Sequence, residues 1–183
     1  AVINSVQDGL ASKLEIQAIY DLVGDKLREI FKADTCFIAF HDEARTTVTA
    51  PYYADKSSKG PFSRPYGKGI YEPIVESGKP VVFGSAEETE KFGRYDIKSP
   101  GASKDLNESV LGVPIFKDGQ AIGAATIQSY QKNAYAQSDL RLLQTLTNSM
   151  SVALESARLF DETPVSYTHL RAHETVLDLV CRL

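Results

Sequence analysis

Residues 109–128 read SVLGVPIFKDGQAIGAATIQ, and this stretch decides the fold. Ser109 to Phe116 is dense in Val, Leu, Ile and Phe, the composition of a strand. Asp118-Gly119 follows, a dipeptide suited to a two-residue hairpin turn, whose central positions need positive φ. Gln120 to Tyr130 reads as the return strand. Pro114 has no N–H to give a ladder, so it is expected at an edge or a bulge. On the return strand Gly123, Ala125 and Ile127 alternate with Ile122, Ala124, Thr126 and Gln128. The first set is small and lets a helix pack close. The second carries Thr126 and Gln128, whose polar groups suit a cavity lining or, equally, solvent and cross-strand pairing.

Upstream, Cys36 to His41 and Thr46 to Tyr53 read as a second hairpin around the charged turn Asp42 to Arg45. Asp55 to Gly69 reads as a loop, with four Gly or Pro residues between Gly60 and Gly67. Ile70 to Ser77 is a short helix stopped by Gly78 and Pro80, and Val81 to Phe83 a short strand. Residues 84–107 are polar and irregular, with one helical turn around Ala86 to Phe92. At the ends lie longer helices. Ser12 and Glu15 have capping-box spacing ahead of Ile16, Ile19, Tyr20, Val23, Leu27, Ile30 and Phe31, all on one helical face. Gly24 weakens this helix, which should end near Lys32. Residues 1–11 read as the end of an upstream linker or signalling helix, broken near Gly9. The last helix, Ser138 to Glu162, would reach about 35 Å. Antiparallel hairpins with helices at the ends make an α+β fold.

Three motifs resemble the GAF family. In the hairpin, Ser109, Leu111, Val113, Pro114, Gly119, Ile122 and Gly123 reproduce its signature. Gly69, Val75, Gly78 and Pro80 match a second pattern, and Tyr135, Asp139 and Leu143 a third. The resemblance spans residues 12–163. It implies a central antiparallel sheet with N- and C-terminal helices on one face. Loops and short helices form a pocket on the other. It further implies a non-catalytic, small-molecule-sensing and dimerisation domain of a multidomain signalling protein, passing ligand state to an output domain of kinase or cyclase type. One position departs: the family often has Ser or Thr where Ala136 stands, a loss of about 1 kcal/mol of capping unless Ser138 caps instead.

Eight aromatics cluster between Tyr52 and Tyr95, in the region that the resemblance assigns to the pocket. The candidate ligand-binding residues are Tyr52, Phe62, Arg64, Tyr66, Tyr71, Phe92, Tyr95 and Asp96, with Thr126 and Gln128 from the hairpin. Ordinary core aromatics and solvated Arg64 and Arg94 are the alternative. The ligand and any cofactor are left open, and a structural dimerisation and relay module with no ligand is the alternative function. The cyclic-nucleotide signature of some relatives is missing, Cys36 lies on a strand rather than in the pocket, and His41 beside its charged turn reads as a surface residue rather than a haem ligand. No catalytic set or metal cluster is legible, and a methionine sulfoxide reductase activity would want more cysteines.

The 183 residues carry a net charge of -4, which speaks against nucleic-acid binding, and no apolar run has membrane-spanning length. A cytoplasmic setting fits the two cysteines. Pro164 to Thr175, PVSYTHLRAHET, resembles a translated sequencing adapter; residues 164–183 are expected to be a non-native tail, although Val176, Leu177, Leu179 and Val180 would also suit a helix. In the last natural helix Leu143, Leu146, Met150, Ala153, Ala157 and Phe160 step by three and four, which predicts a coiled-coil seam and a homodimer through the terminal helices.

Overall fold

The computed structural model describes residues 2–92 and 106–162, with side chains over 13–92 and 106–157. Arg94, Tyr95, Asp96, residues 164–183 and the side chain of Phe160 lie outside the described residues. The elements are α1 (Val2–Phe31), β1 (Thr35–His41), β2 (Thr47–Ala54), β3 (Phe62–Pro65), α2 (Tyr71–Ser77), β4 (Val81–Phe83), α3 (Ala86–Glu90), β5 (Ser109–Lys117), β6 (Gln120–Ser129) and α4 (Gln137–Glu162). The strands form one antiparallel sheet in the order β3-β2-β1-β6-β5-β4.

The β5–β6 hairpin forms as expected. Asp118 and Gly119 both have positive φ, 50° and 78°, and Lys117 pairs with Gln120 across the turn. Pro114 lies beyond the last residue of β5 that pairs with β4, which ends its pairing at Gly112, so no neighbour on that side needs its missing N–H. A register shift between Ile115 and Phe116 corrects the alternation at the start of β6. Ile122 packs with the helix-side core, while Ala121 and Ala124 belong to the other face.

α1 and α4 cover one face. Tyr20, Leu27, Leu143, Met150 and Leu154 pack there against Ile38, Tyr52, Leu111, Val113, Ala125 and Ile127. The second face carries a smaller cluster: Phe37, Ala39, Val48, Ala50, Tyr53 and Ala124, covered by Tyr71, Ile74 and Val75 of α2. The long helices thus brace the sheet from behind, and among the described residues α2 is the helix that covers the face where side chains of several strands converge.

Four local expectations need correction. α1 runs unbroken through Gly9, so Ser12 and Glu15 lie inside it and do not start it; one glycine costs only about 1 kcal/mol, which a 30-residue helix absorbs. Within 55–69 a further strand appears, β3, pairing with Thr47–Ala50; its Pro65 is tolerated because the strand is an edge. Ser138 does not cap α4. The Ala136 N–H instead donates to Asp139 Oδ2 at 2.7 Å, so the acid returns the bond that the family's capping residue would have shared. Over its described side chains the predicted seam faces mostly inward: Leu143 and Met150 are buried, Leu146 packs against the same core, Ala157 is half-buried and Ala153 is exposed. The helix needs these residues to cover its own sheet.

Candidate functional site

α2 fits the second face through a notch. A Cβ on Gly112 would lie 2.4 Å from Ile74 Cδ1 and 3.3 Å from Thr126 Cγ2, so only glycine lets Ile74 seat there. Gly78, with φ 61°, then ends the helix in the left-handed region and donates its N–H to the Ile74 carbonyl.

At the first turn of α2, Tyr71 is buried and its hydroxyl lies 2.7 Å from His41 Nδ1. Tyr66 stands edge-on to both rings. His41 is therefore half-buried and partnered, not the surface residue its turn suggested. Burial first, then the charge of Arg45, hold its pKa below the ordinary imidazole value.

Arg64 is also not a solvated charge. Its side chain is 5% exposed and that of Glu72 7%. The guanidinium donates to both carboxylate oxygens, 2.7 Å to Oε1 and 3.0 Å to Oε2, as a parallel fork. The Gly67 N–H adds a third bond to Oε1 at 3.0 Å. Arg64 further donates to the Pro65 carbonyl and sits 6.0 Å from the centre of the Tyr71 ring. Burial alone would raise the Glu72 pKa, but the Arg64 bonds and the Gly67 N–H outweigh it and hold the carboxyl below its usual value.

Thr126 and Gln128 project to this same face and are buried, with Gln128 Nε2 3.4 Å from Thr126 Oγ1. Nearby on the sheet, the Tyr53 hydroxyl donates to the buried carboxylate of Asp55 at 2.8 Å, and Phe62 meets the Tyr53 ring edge to face. Burial, then Asp55, push the Tyr53 phenol up. The Tyr130 hydroxyl is buried and has no hydrogen-bond partner among the described residues. Phe92 packs on Phe83, and its carbonyl accepts the Gly69 N–H at 3.1 Å.

Of the sequence candidates, Arg64, Tyr66 and Tyr71 come together directly. Thr126 joins them through Ile74, Gln128 through Thr126, Phe62 through Tyr53, and Phe92 through the Gly69 backbone. Tyr52 does not join. It points to the helix side, where its ring lies under Gly24 of α1 and its hydroxyl donates to Asp25 at 2.8 Å. One step of strand alternation separates it from Tyr53. Glu72 was not singled out from sequence, because an acid in the first turn of a short helix is ordinary and its partner lies eight residues upstream in a segment that read as loop.

Among the described residues no group of three His, Cys, Asp or Glu is placed to hold a metal ion. Cys36 is fully buried on the helix side, and burial pushes its thiol up to about 12. Among the described residues no helix is long and apolar enough to cross a membrane. An open depression of about 390 Å³ lies between α1 and the β2–β3 connection, lined by Gln17, Asp21, Pro51, Lys59 and Pro61 among others.

A helix-braced antiparallel sheet with a short helix over its other face is an arrangement shared with known proteins. The family model for the GAF domain matches residues 13–155, and the chain belongs to the GAF domain family. GAF domains are regulatory and signalling modules of chemotaxis and photoreceptor proteins among others. The chain is similar to the GAF domain of an Acinetobacter phosphoenolpyruvate-protein phosphotransferase: TM-score 0.67, 16% identity, covering 90% of this chain and 97% of that one. It is similar to residues 122 to 287 of a methyl-accepting chemotaxis protein, with TM-score 0.68, 14% identity and coverage of 87% and 99%. It is also similar to the free methionine-R-sulfoxide reductase from Neisseria meningitidis solved with its substrate, with TM-score 0.58, 18% identity and coverage of 81% and 90%. At these identities the likeness shows the fold. No curated protein matches the chain.

Proposed function

We propose that this chain is a non-catalytic sensor: it binds a small molecule on the sheet face beneath α2 and passes its ligand state through α1 and α4 to a covalently linked output domain, of kinase or cyclase type as in two-component systems. The observation that carries this reading is the contrast between the two faces. The helix side is packed mainly by apolar side chains, with Thr147 of α4 buried among them, whereas the α2 side gathers Thr126, Gln128, Tyr53, Asp55, Arg64 and Glu72, all buried. Buried polar groups must be hydrogen-bonded to be tolerated, and these meet that need largely among themselves, on one otherwise apolar face, which is the composition of a small-molecule site. A reductase reading gains nothing from Cys36, since a thiol with a pKa near 12 supplies almost no thiolate at neutral pH. The setting that suits such a module is cytoplasmic.

We also place a homodimer contact on α4, displaced by one residue from the predicted seam. Leu142, Thr145, Ser149, Val152 and Ser156 step by three and four, are all exposed, and include no charge. The hydroxyls of Thr145, Ser149 and Ser156 donate to carbonyls one turn back, at 2.9, 3.1 and 3.0 Å, which leaves the stripe less polar than its composition. Leu14 and Leu22 on α1 are exposed as well, at 71% and 63%. Such a row suits helix-to-helix packing with a second copy. A thermal-shift panel of amino acids, nucleotides, haem and aromatic acids tests the sensing reading; stabilisation by a member supports it, and none across a broad panel overturns it.

A further inference from the structure

The Arg64–Glu72 pair has the form of a ligand complex made within one chain. Three donors, the two guanidinium N–H groups and the Gly67 N–H, converge on one carboxylate. The guanidinium is nine-tenths buried, and the Tyr71 ring stands beside it, itself met edge-on by Tyr66. Gly69, with φ 126°, keeps the flank open: a Cβ there would lie 3.4 Å from Arg64 Nη2 and 3.6 Å from Glu72 Oε2. The carboxylate that fills this cradle belongs to the second residue of α2, the helix that lies over the proposed binding face.

We propose that Arg64 and the Gly67 amide form a recognition site for the carboxylate of a small apolar acid, kept shut in the free protein by Glu72. The inference rests on the sensing reading above and names its ligand class. Exchange of one carboxylate for another leaves the hydrogen bonds at Arg64 unchanged in number. Glu72 regains its hydration as the incoming group loses its own, so the electrostatic terms largely cancel. The balance then falls to the apolar body of the ligand, which gains burial against Tyr66 and Tyr71. Release of Glu72 removes one of the fastenings of α2, leaving Tyr71–His41 and the Ile74–Gly112 notch to hold it. Binding is thereby converted into looser docking of α2. A planar carboxylate fits the fork in the manner that Glu72 already shows, whereas a phosphate brings a second charge into a buried position.

The test is a titration of the full 15N-labelled chain with benzoate, followed by NMR, in wild type, Glu72→Gln and Arg64→Leu. Benzamide and inorganic phosphate serve as controls. Saturable movement of the Gly67 amide is expected in the first two proteins, with affinity about ten-fold tighter in Glu72→Gln because the internal competitor has lost its charge; that ratio corresponds to about 1.4 kcal/mol. Faster hydrogen exchange of α2 amides is expected when wild type is loaded. Equal affinities in wild type and Glu72→Gln, a Gly67 response that survives in Arg64→Leu, or tighter binding of phosphate than of benzoate would each overturn the proposal. Benzoate binding that moves the Thr126 and Gln128 amides but leaves Gly67 still would sink the carboxylate site while leaving the sensing reading standing. If Glu72→Gln does not fold, exchange in wild type decides: no acceleration of the α2 amides by benzoate contradicts the proposal.

Discussion

Gly24 shows how a single residue sets the packing of a long helix on the sheet. Gly24 is mid-helix, where propensity alone favours alanine by about 1 kcal/mol. Yet a Cβ there would lie 2.4 Å from three atoms of the buried Tyr52 ring. Overlap with a ring that cannot swing away outweighs the propensity gain. Gly24→Ala is expected to destabilise the chain by about 1–2 kcal/mol, read as a lower urea midpoint; a midpoint equal to or above wild type would contradict the packing described. Glu72 gives a residue-scale prediction in pH. Its folded pKa is depressed, so its contribution is present above the unfolded value of about 4.3 and is lost as pH falls through the lower folded value. Glu72→Gln is therefore expected to cost about 1–3 kcal/mol at pH 7, with the gap to wild type closing below about pH 4. Paired urea titrations at pH 7 and pH 3 measure it. A gap that persists unchanged at pH 3 would mean that the ion pair is not its source.

At the scale of elements, α4 separates two roles that its sequence superimposes. Apolar residues occur on adjacent rows one residue apart, and spacing cannot say which row meets the sheet. The predicted row of Leu143, Leu146 and Met150 meets it, which fixes the row at Leu142 and Val152 as the outer one. Leu143→Ala should cost about 2–5 kcal/mol by leaving a cavity in the core, without a change in the mass of the folded species. Val152→Asp should leave stability within about 0.5 kcal/mol and shift sedimentation toward monomer, since Val152 is 67% exposed. A dimer that survives Val152→Asp together with Leu142→Asp would refute the proposed contact. β3 shows the opposite limit. Its four residues lie among prolines and glycines, and only pairing with β2 makes them a strand. Local propensity holds no record of that pairing.

For the whole molecule, hairpin chemistry and helix periodicity carried most of the fold. Asp118-Gly119, the alternation of β6 and the stop at Gly78 each act over a few residues, so they are legible without tertiary context. The candidate site was legible only in part. Thr126 and Gln128 were found through strand alternation, and Arg64, Tyr66 and Tyr71 through composition of the middle region. The same reasoning misplaced Tyr52, because neighbouring strand residues face opposite ways and a local bulge between Ile38 and Phe40 disturbs the register there. It also passed over Glu72 and His41, whose roles depend on partners eight and thirty residues away. The central claim concerns the face beneath α2. It is tested most directly by a thermal-shift panel run in parallel on wild type and Gln128→Leu, where Gln128 is 7% exposed and directed to that face. At least one compound is expected to raise the melting temperature of wild type at saturation, by the ligand-linked stabilisation of about 2.7 kcal/mol at a hundred times Kd, and to lose most of that effect in Gln128→Leu. No stabilisation by any compound, or equal stabilisation of both proteins by each one that binds, would contradict a sensing site on this face.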